Sequence, residues 1–301
     1  MALPVSALSS GSHWQGPILA SSAAQGGHFE NVPLGDIDKV RSRYKTWLET
    51  FDHPVTAALP STPLPTTAGW TYTDINTATT SLFSVTLAER CALIDPGTKA
   101  QAGYQLQNNL AVATMGVANI RTMGPLVGVD PVWDNKELIW AARVGFKSDA
   151  TAWDGMALLG VFVSDTSLLN NTTGVPSVSA GGFGFHVGIT GALTFLGTQS
   201  AITAAGTSTG VSILALDTAA VFNWFDLGFR VRFGDSSAGT GKADYYVNGR
   251  LVGTITTGLP TMATTYSNTI AVGNGAAQLT DLGIEYIYNA VTGPGRTNTS
   301  S

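Results

Sequence analysis

Charge is what this chain has least of. Only 12% of its 301 residues are Asp, Glu, Lys or Arg, about half the usual share. Residues 166–216 contain none of the four. A soluble surface normally carries interspersed charge, so a surface this neutral points to crowded neighbours or an assembly. The net charge of −5 gives no electrostatic invitation to nucleic acid or to an anionic membrane. Cys91 is the single cysteine; it excludes an internal disulfide framework, and its apolar setting reads as a buried small hydrophobe. No Lys or Arg precedes Lys39, so the basic start of a signal peptide is missing, and no apolar run reaches membrane-spanning length. The expectation is a chain made in a cytoplasm and soluble there. The sequons at Asn170, Asn171 and Asn298 then carry little meaning.

Catalytic groups are scarce as well. The five glutamates are Glu30, Glu49, Glu89, Glu137 and Glu285, and none stands in a paired-carboxylate strand motif of the kind glycoside hydrolysis needs. Asp281 and Glu285 would share a strand face about 13 Å apart, as surface charges. Asp130, Asp134 and Asn135 match turn formers better than a calcium loop. His13, His28 and His53 lack acidic or Cys partners at ligand spacing, and His186 reads as facing solvent or a second sheet. No catalytic residue, metal or cofactor is expected.

What the chain does have is alternation. Phe225, Leu227, Phe229, Val231 and Phe233 fall at every second position, the pattern of a half-buried strand. Ala243, Tyr245 and Val247 continue it, Asn248-Gly249 suits a two-residue hairpin turn, and Arg250 to Thr256 returns as a third strand. Strands are also predicted at 81–87, 137–146, 156–163, 182–190, 193–195, 269–272 and 283–291. Residues 104–118 fit either period.

The first third is different. Residues 1–35 are rich in Ala, Ser and Gly, with Trp14 and Ile18 isolated among them. Ile37, Val40, Tyr44, Trp47, Leu48 and Phe51 follow three-to-four spacing behind Asp36, which predicts a helix over 36–51. Pro60, Pro63 and Pro65 make a stiff linker. The domain reading is an N-terminal arm at 1–66, an all-β antiparallel sandwich at 67–292 and a tail at 293–301. Trp14, Ile37, Val40, Tyr44, Trp47 and Phe51 are the candidate docking residues of the arm. Trp133 and Trp153, beside Asp and Gly in expected loops, are the alternative candidates for a sugar-stacking platform.

The hairpin Tyr245-Tyr246-Val247-Asn248-Gly249-Arg250-Leu251-Val252-Gly253-Thr254 resembles the signature hairpin of concanavalin-like and laminin-G-like jelly rolls. Trp224 to Phe233 and Leu282 to Tyr288 stand where such domains place adjoining strands. With the low charge and the arm, the whole is similar to the jelly-roll decoration (cement) proteins of tailed-bacteriophage heads. That resemblance implies a structural, non-enzymatic protein on the capsid surface of a virion. Its implied partners are the major capsid protein and further copies of itself, a trimer in the first instance. The alternative is a lectin-like module of a fibre or adhesin binding a surface glycan; no nucleic-acid or membrane partner is expected.

Overall fold

A computed structural model describes residues 44–49, 55–59, 70–75, 81–85, 91–96, 101, 103–107, 137–148, 153–163, 165, 168–170, 174–179, 181–198, 200–213, 222–233, 241–259, 266–275 and 280–292. These residues form two antiparallel sheets. The larger contains β1 (Tyr44–Glu49), β2 (Val55–Leu59), β4 (Ser81–Val85), β5 (Ala92–Asp95), β7 (Glu137–Ser148), β12 (Asn223–Phe233), β13 (Gly241–Val247), β14 (Arg250–Ile255) and β16 (Thr280–Thr292). Its order is β14-β13-β12-β7-β16-β5-β4-β2, with β1 beside β5 along the same edge of β16. The smaller sheet runs β11 (Thr207–Ser212), β10 (Ala192–Thr198), β9 (Gly182–Val187), β8 (Gly155–Val163), β15 (Tyr266–Asn274), β6 (Gly103–Gln107) and β3 (Thr71–Ile75). This is the antiparallel β-sandwich expected of a concanavalin-like jelly roll.

Alternation decides which face is buried. Leu138, Trp140, Ala142, Val144 and Phe146 of β7 and Phe225, Leu227, Phe229 and Val231 of β12 point into one core, against Phe183, Phe185 and Val187 of β9. Aromatic contacts tie the layers together. Trp140 stacks on Phe229 at 5.3 Å between ring centroids, and Phe183 of the opposite sheet reaches Phe229 at 6.0 Å. Each such ring contributes about 1.5–3 kcal/mol on full burial. Polar groups fix the register of one sheet over the other. The Tyr245 hydroxyl donates to the Leu196 carbonyl (2.7 Å), and Asn268 Oδ1 accepts from Trp140 Nε1 (3.2 Å) and Asn289 Nδ2 (3.0 Å). A buried donor left unmade would cost about 1–3 kcal/mol, so a slipped register is penalised.

The hairpin turn is as expected. Asn248 (φ 50°) and Gly249 (φ 76°) both take left-handed conformations, the requirement of a type I′ turn. A third layer covers the outer face of the smaller sheet, where Leu168, Leu169, Val178 and Ile202 pack on Leu158, Phe162 and Leu196. His186 lies under that layer and not in solvent: it is buried, with Nε2 2.6 Å from the Gly174 carbonyl. Cys91 is buried, as expected.

The segment read as the arm departs from expectation. Tyr44–Glu49, within the span of the helix predicted over 36–51, is strand β1, paired with β16 from Tyr44↔Thr292 to Glu49↔Ile287. Tyr, Thr and Trp are strand formers, and the edge of β16 beyond β5 offers backbone partners that a helix could not use. Likewise β2, from the expected arm, pairs with β4. The large sheet thus draws two strands from residues assigned to a separate arm. The rest of that helix, the prolines at 60, 63 and 65, and the tail at 293–301 lie outside the described residues.

Candidate functional site

The polar phase of three central strands converges on the outer face of the larger sheet. Backbone register sets two rows there. In one, Asp226 of β12, Arg143 of β7 and Tyr286 of β16 are cross-strand partners; in the next, Trp224, Gly145 and Gly283 are. The register between β16 and β7 shifts at Ile284/Tyr286, so Glu285 is the extra residue of a bulge beside Arg143.

Two glycines make the floor. A Cβ on Gly145 would stand 3.0 Å from Phe222 Cδ1 and 3.0 Å from Trp224 Cδ2, and one on Gly283 would stand 3.1 Å from Trp224 Cη2 and 3.2 Å from Phe222 Cε1. Their absence lets both rings settle onto the sheet. The rings lie 5.5 Å apart at an interplanar angle of 40°, and both side chains are half-buried. Arg143 Cζ stands 5.8 Å over the Trp224 ring, and Lys147 Nζ 5.8 Å over the Phe222 ring, within cation–π range.

Carboxylates hold both cations. Arg143 pairs with Glu285 at 2.8 Å and with Asp226 at 3.5 Å, and Lys147 pairs with Asp281 at 2.8 Å. Burial pushes the Asp226 carboxyl above its usual range, with Arg143 opposing. Burial also raises the Tyr286 hydroxyl well above its ordinary value; Asp226 adds to this, Arg143 opposes it, and Glu285 adds again. The turn steadies Asp226 from the other side. The Asn248 amide donates to its carbonyl (2.7 Å), and its own amide donates to Asn248 Oδ1 (2.9 Å). The result is an apolar shelf of two rings rimmed by fixed donors and acceptors, which can stack on a flat ligand and hydrogen-bond its periphery.

None of the candidate docking or sugar-platform residues singled out from sequence belongs to this shelf, whereas Asp281 and Glu285, read as surface charges, border it. Trp153 is 4% exposed and packs edge-on against Phe146 at 5.5 Å; an indole enclosed in the core has no face for a sugar. Trp133 lies outside the described residues, as do Trp14, Ile37, Val40 and Phe51. Tyr44 and Trp47 sit in β1, not on a free helix. Asp281 and Glu285 are engaged by separate cations. Among the described residues no group of three or more His, Cys, Asp or Glu could hold a metal. The shelf was missed because Trp224, Arg143 and Asp226 fall on the polar phase of their strands. The available signal was an aromatic at a polar-phase position, together with glycine at the matching phase of two other strands.

No protein-family model matches the chain, and neither does any curated protein. Among solved structures, it is similar to the carbohydrate recognition domain of Emp46p in its potassium-bound form (7% identity over 73% of this chain and 87% of that one, TM-score 0.40). It is also similar to peanut lectin (10% identity, 80% and 98%, TM-score 0.38) and to a Bacillus licheniformis β-glucanase (11% identity, 81% and 97%, TM-score 0.41). At these scores none of them bears on what the shelf does. Neither the geometry nor the comparisons support the expected capsid partner, trimer or virion location.

Proposed function

We propose that this protein is a carbohydrate-binding module that binds glycan on the outer face of its larger sheet without turning it over. The observation that carries the reading is the pair of rings, Trp224 and Phe222, laid over Gly145 and Gly283 and bordered by Arg143 and Lys147. A pyranose ring presents aliphatic C–H on its faces and hydroxyls around its edge. Stacking on aromatic rings removes the faces from water. Planar guanidinium and carboxylate groups then take adjacent hydroxyls in charge-assisted hydrogen bonds. The rim is fixed by ion pairs before ligand arrives, which lowers the ordering cost of binding.

The test is binding of the full chain to a glycan array, followed by titration calorimetry on the best ligand. Trp224→Ala with Phe222→Ala should reduce affinity by at least about tenfold, since each lost stacking ring is worth roughly 0.5–1.5 kcal/mol beyond its buried area. The melting temperature should move little, because neither ring belongs to the inter-sheet core. Unchanged affinity in the double variant would sink the proposal.

A further inference from the structure

We infer that the shelf selects neutral glycans and rejects acidic ones. This rests on the platform reading above and adds the ligand's charge to it. Two cations, Arg143 and Lys147, border the rings, against three carboxylates, Asp226, Glu285 and Asp281, so the rim carries a formal excess of one negative charge. Both cations are already committed at ion-pair distance. A carboxylate or sulfate on a sugar that reached Arg143 would stand beside Glu285 and Asp226, placing like charges next to each other across a partly desolvated surface.

A neutral sugar meets no such conflict. Its hydroxyls donate to the carboxylates and accept from the guanidinium without breaking either pair. At longer range the chain's net charge of −5 repels a polyanion further. The rim therefore asks its ligand for hydroxyl donors and penalises added negative charge.

Affinity electrophoresis of the full chain tests this, with hydroxyethylcellulose, xylan and laminarin as neutral matrices and polygalacturonate, alginate and hyaluronate as acidic ones. At least one neutral matrix should retard the protein, and dissociation constants for the acidic ones should be weaker by at least about tenfold. Glu285→Gln, at the most exposed of the three carboxylates bordering the rings, should narrow that gap by removing one repelling charge. Added salt should raise residual acidic binding by screening the repulsion. Acidic retardation that matches the neutral, disappears in Trp224→Ala with Phe222→Ala and weakens with salt would overturn the selectivity while leaving the platform standing. Retardation by no matrix, or retardation that survives the double ring variant, would overturn both.

Discussion

His186 is the only group among Asp, Glu, Lys, Arg, His, Cys and Tyr between residues 166 and 216, and the fold buries it. Its Nε2 lies 2.6 Å from the Gly174 carbonyl, which requires the ring to donate there, and Nδ1 lies 3.4 Å from the Thr194 hydroxyl. Burial lowers its pKa from the usual 6.5, with the Gly174 bond opposing. The linkage sign follows. Below pH 6.5 the unfolded chain takes up a proton that the folded chain refuses, so the unfolded state binds more protons. Stability from this group is complete above about 6.5 and is lost as pH falls from there through the lowered folded value. The limiting slope for one proton is about 1.4 kcal/mol per pH unit. Asp226 works in the opposite sense: with its folded pKa raised above 3.8, stability falls as pH rises from 3.8 through that folded value. His186→Gln keeps a donor for Gly174 and removes the titration. Urea denaturation of both proteins at half-unit steps from pH 7.5 to 4.5 isolates the histidine, because every other group is common to the two. The wild type should lose stability relative to the variant below pH 6.5, with the difference growing by up to about 1.4 kcal/mol per unit. Parallel curves would refute the claim that the fold excludes the charged ring.

Gly145→Val should lift the Trp224 and Phe222 rings off the sheet, since even a bare Cβ would stand 3.0 Å from each. Indole emission should shift and glycan affinity fall, with only a small change in melting temperature. Trp153→Ala should cost about 3–5 kcal/mol in denaturant titrations, the range for truncating a buried aromatic. Affinity per folded molecule should stay unchanged; a loss of affinity without a loss of stability would return Trp153 to the binding site.

The strands legible in the sequence were those with one apolar and one polar face. Phe225 to Val231 alternates without a break, one phase of Leu138 to Phe146 and of Phe183 to Val187 is wholly apolar, and membership of the inter-sheet core follows that phase, although Ile139, Ala141 and His186 on the other phase are buried too. Asn248-Gly249 also announced its turn, because few other residue pairs accept two positive φ angles. Strand β11, Thr207–Ser212, stayed hidden as an edge built from Thr, Ser and Gly, with little apolar alternation to read. The segment around β1 misled for a different reason. Its hydrophobes satisfy a helical stripe, and what selects the strand is an open backbone edge contributed by β16, more than 230 residues away in sequence. The shelf depends on distant register in the same way. Gly145 and Gly283 are unremarkable along the chain and become a floor only when β7 and β16 pair side by side under Trp224.

That open edge gives the last prediction. A chain beginning at Thr66 would lack both β1 and β2, uncovering β16 from Ile287 to Thr292 and the outer edge of β4. In an antiparallel pair each strand directs alternate amides to each neighbour, so about half of the β16 amides in this stretch bond to β1 and the rest to β7. The gross loss is about 0.5–1.5 kcal/mol per hydrogen bond, offset by about 1–2 kcal/mol of backbone entropy for each residue no longer ordered. Global stability is therefore a poor reporter, and local protection is a good one. Hydrogen exchange in the shortened chain should quicken by roughly tenfold or more at the amides facing β1, while those facing β7 keep their protection. The uncovered edges should also promote self-association visible in sedimentation. If exchange at residues 287–292 is the same in both chains and the shortened one sediments identically, β1 is not a working member of the sheet, and the first 66 residues form the separate arm that the sequence suggested.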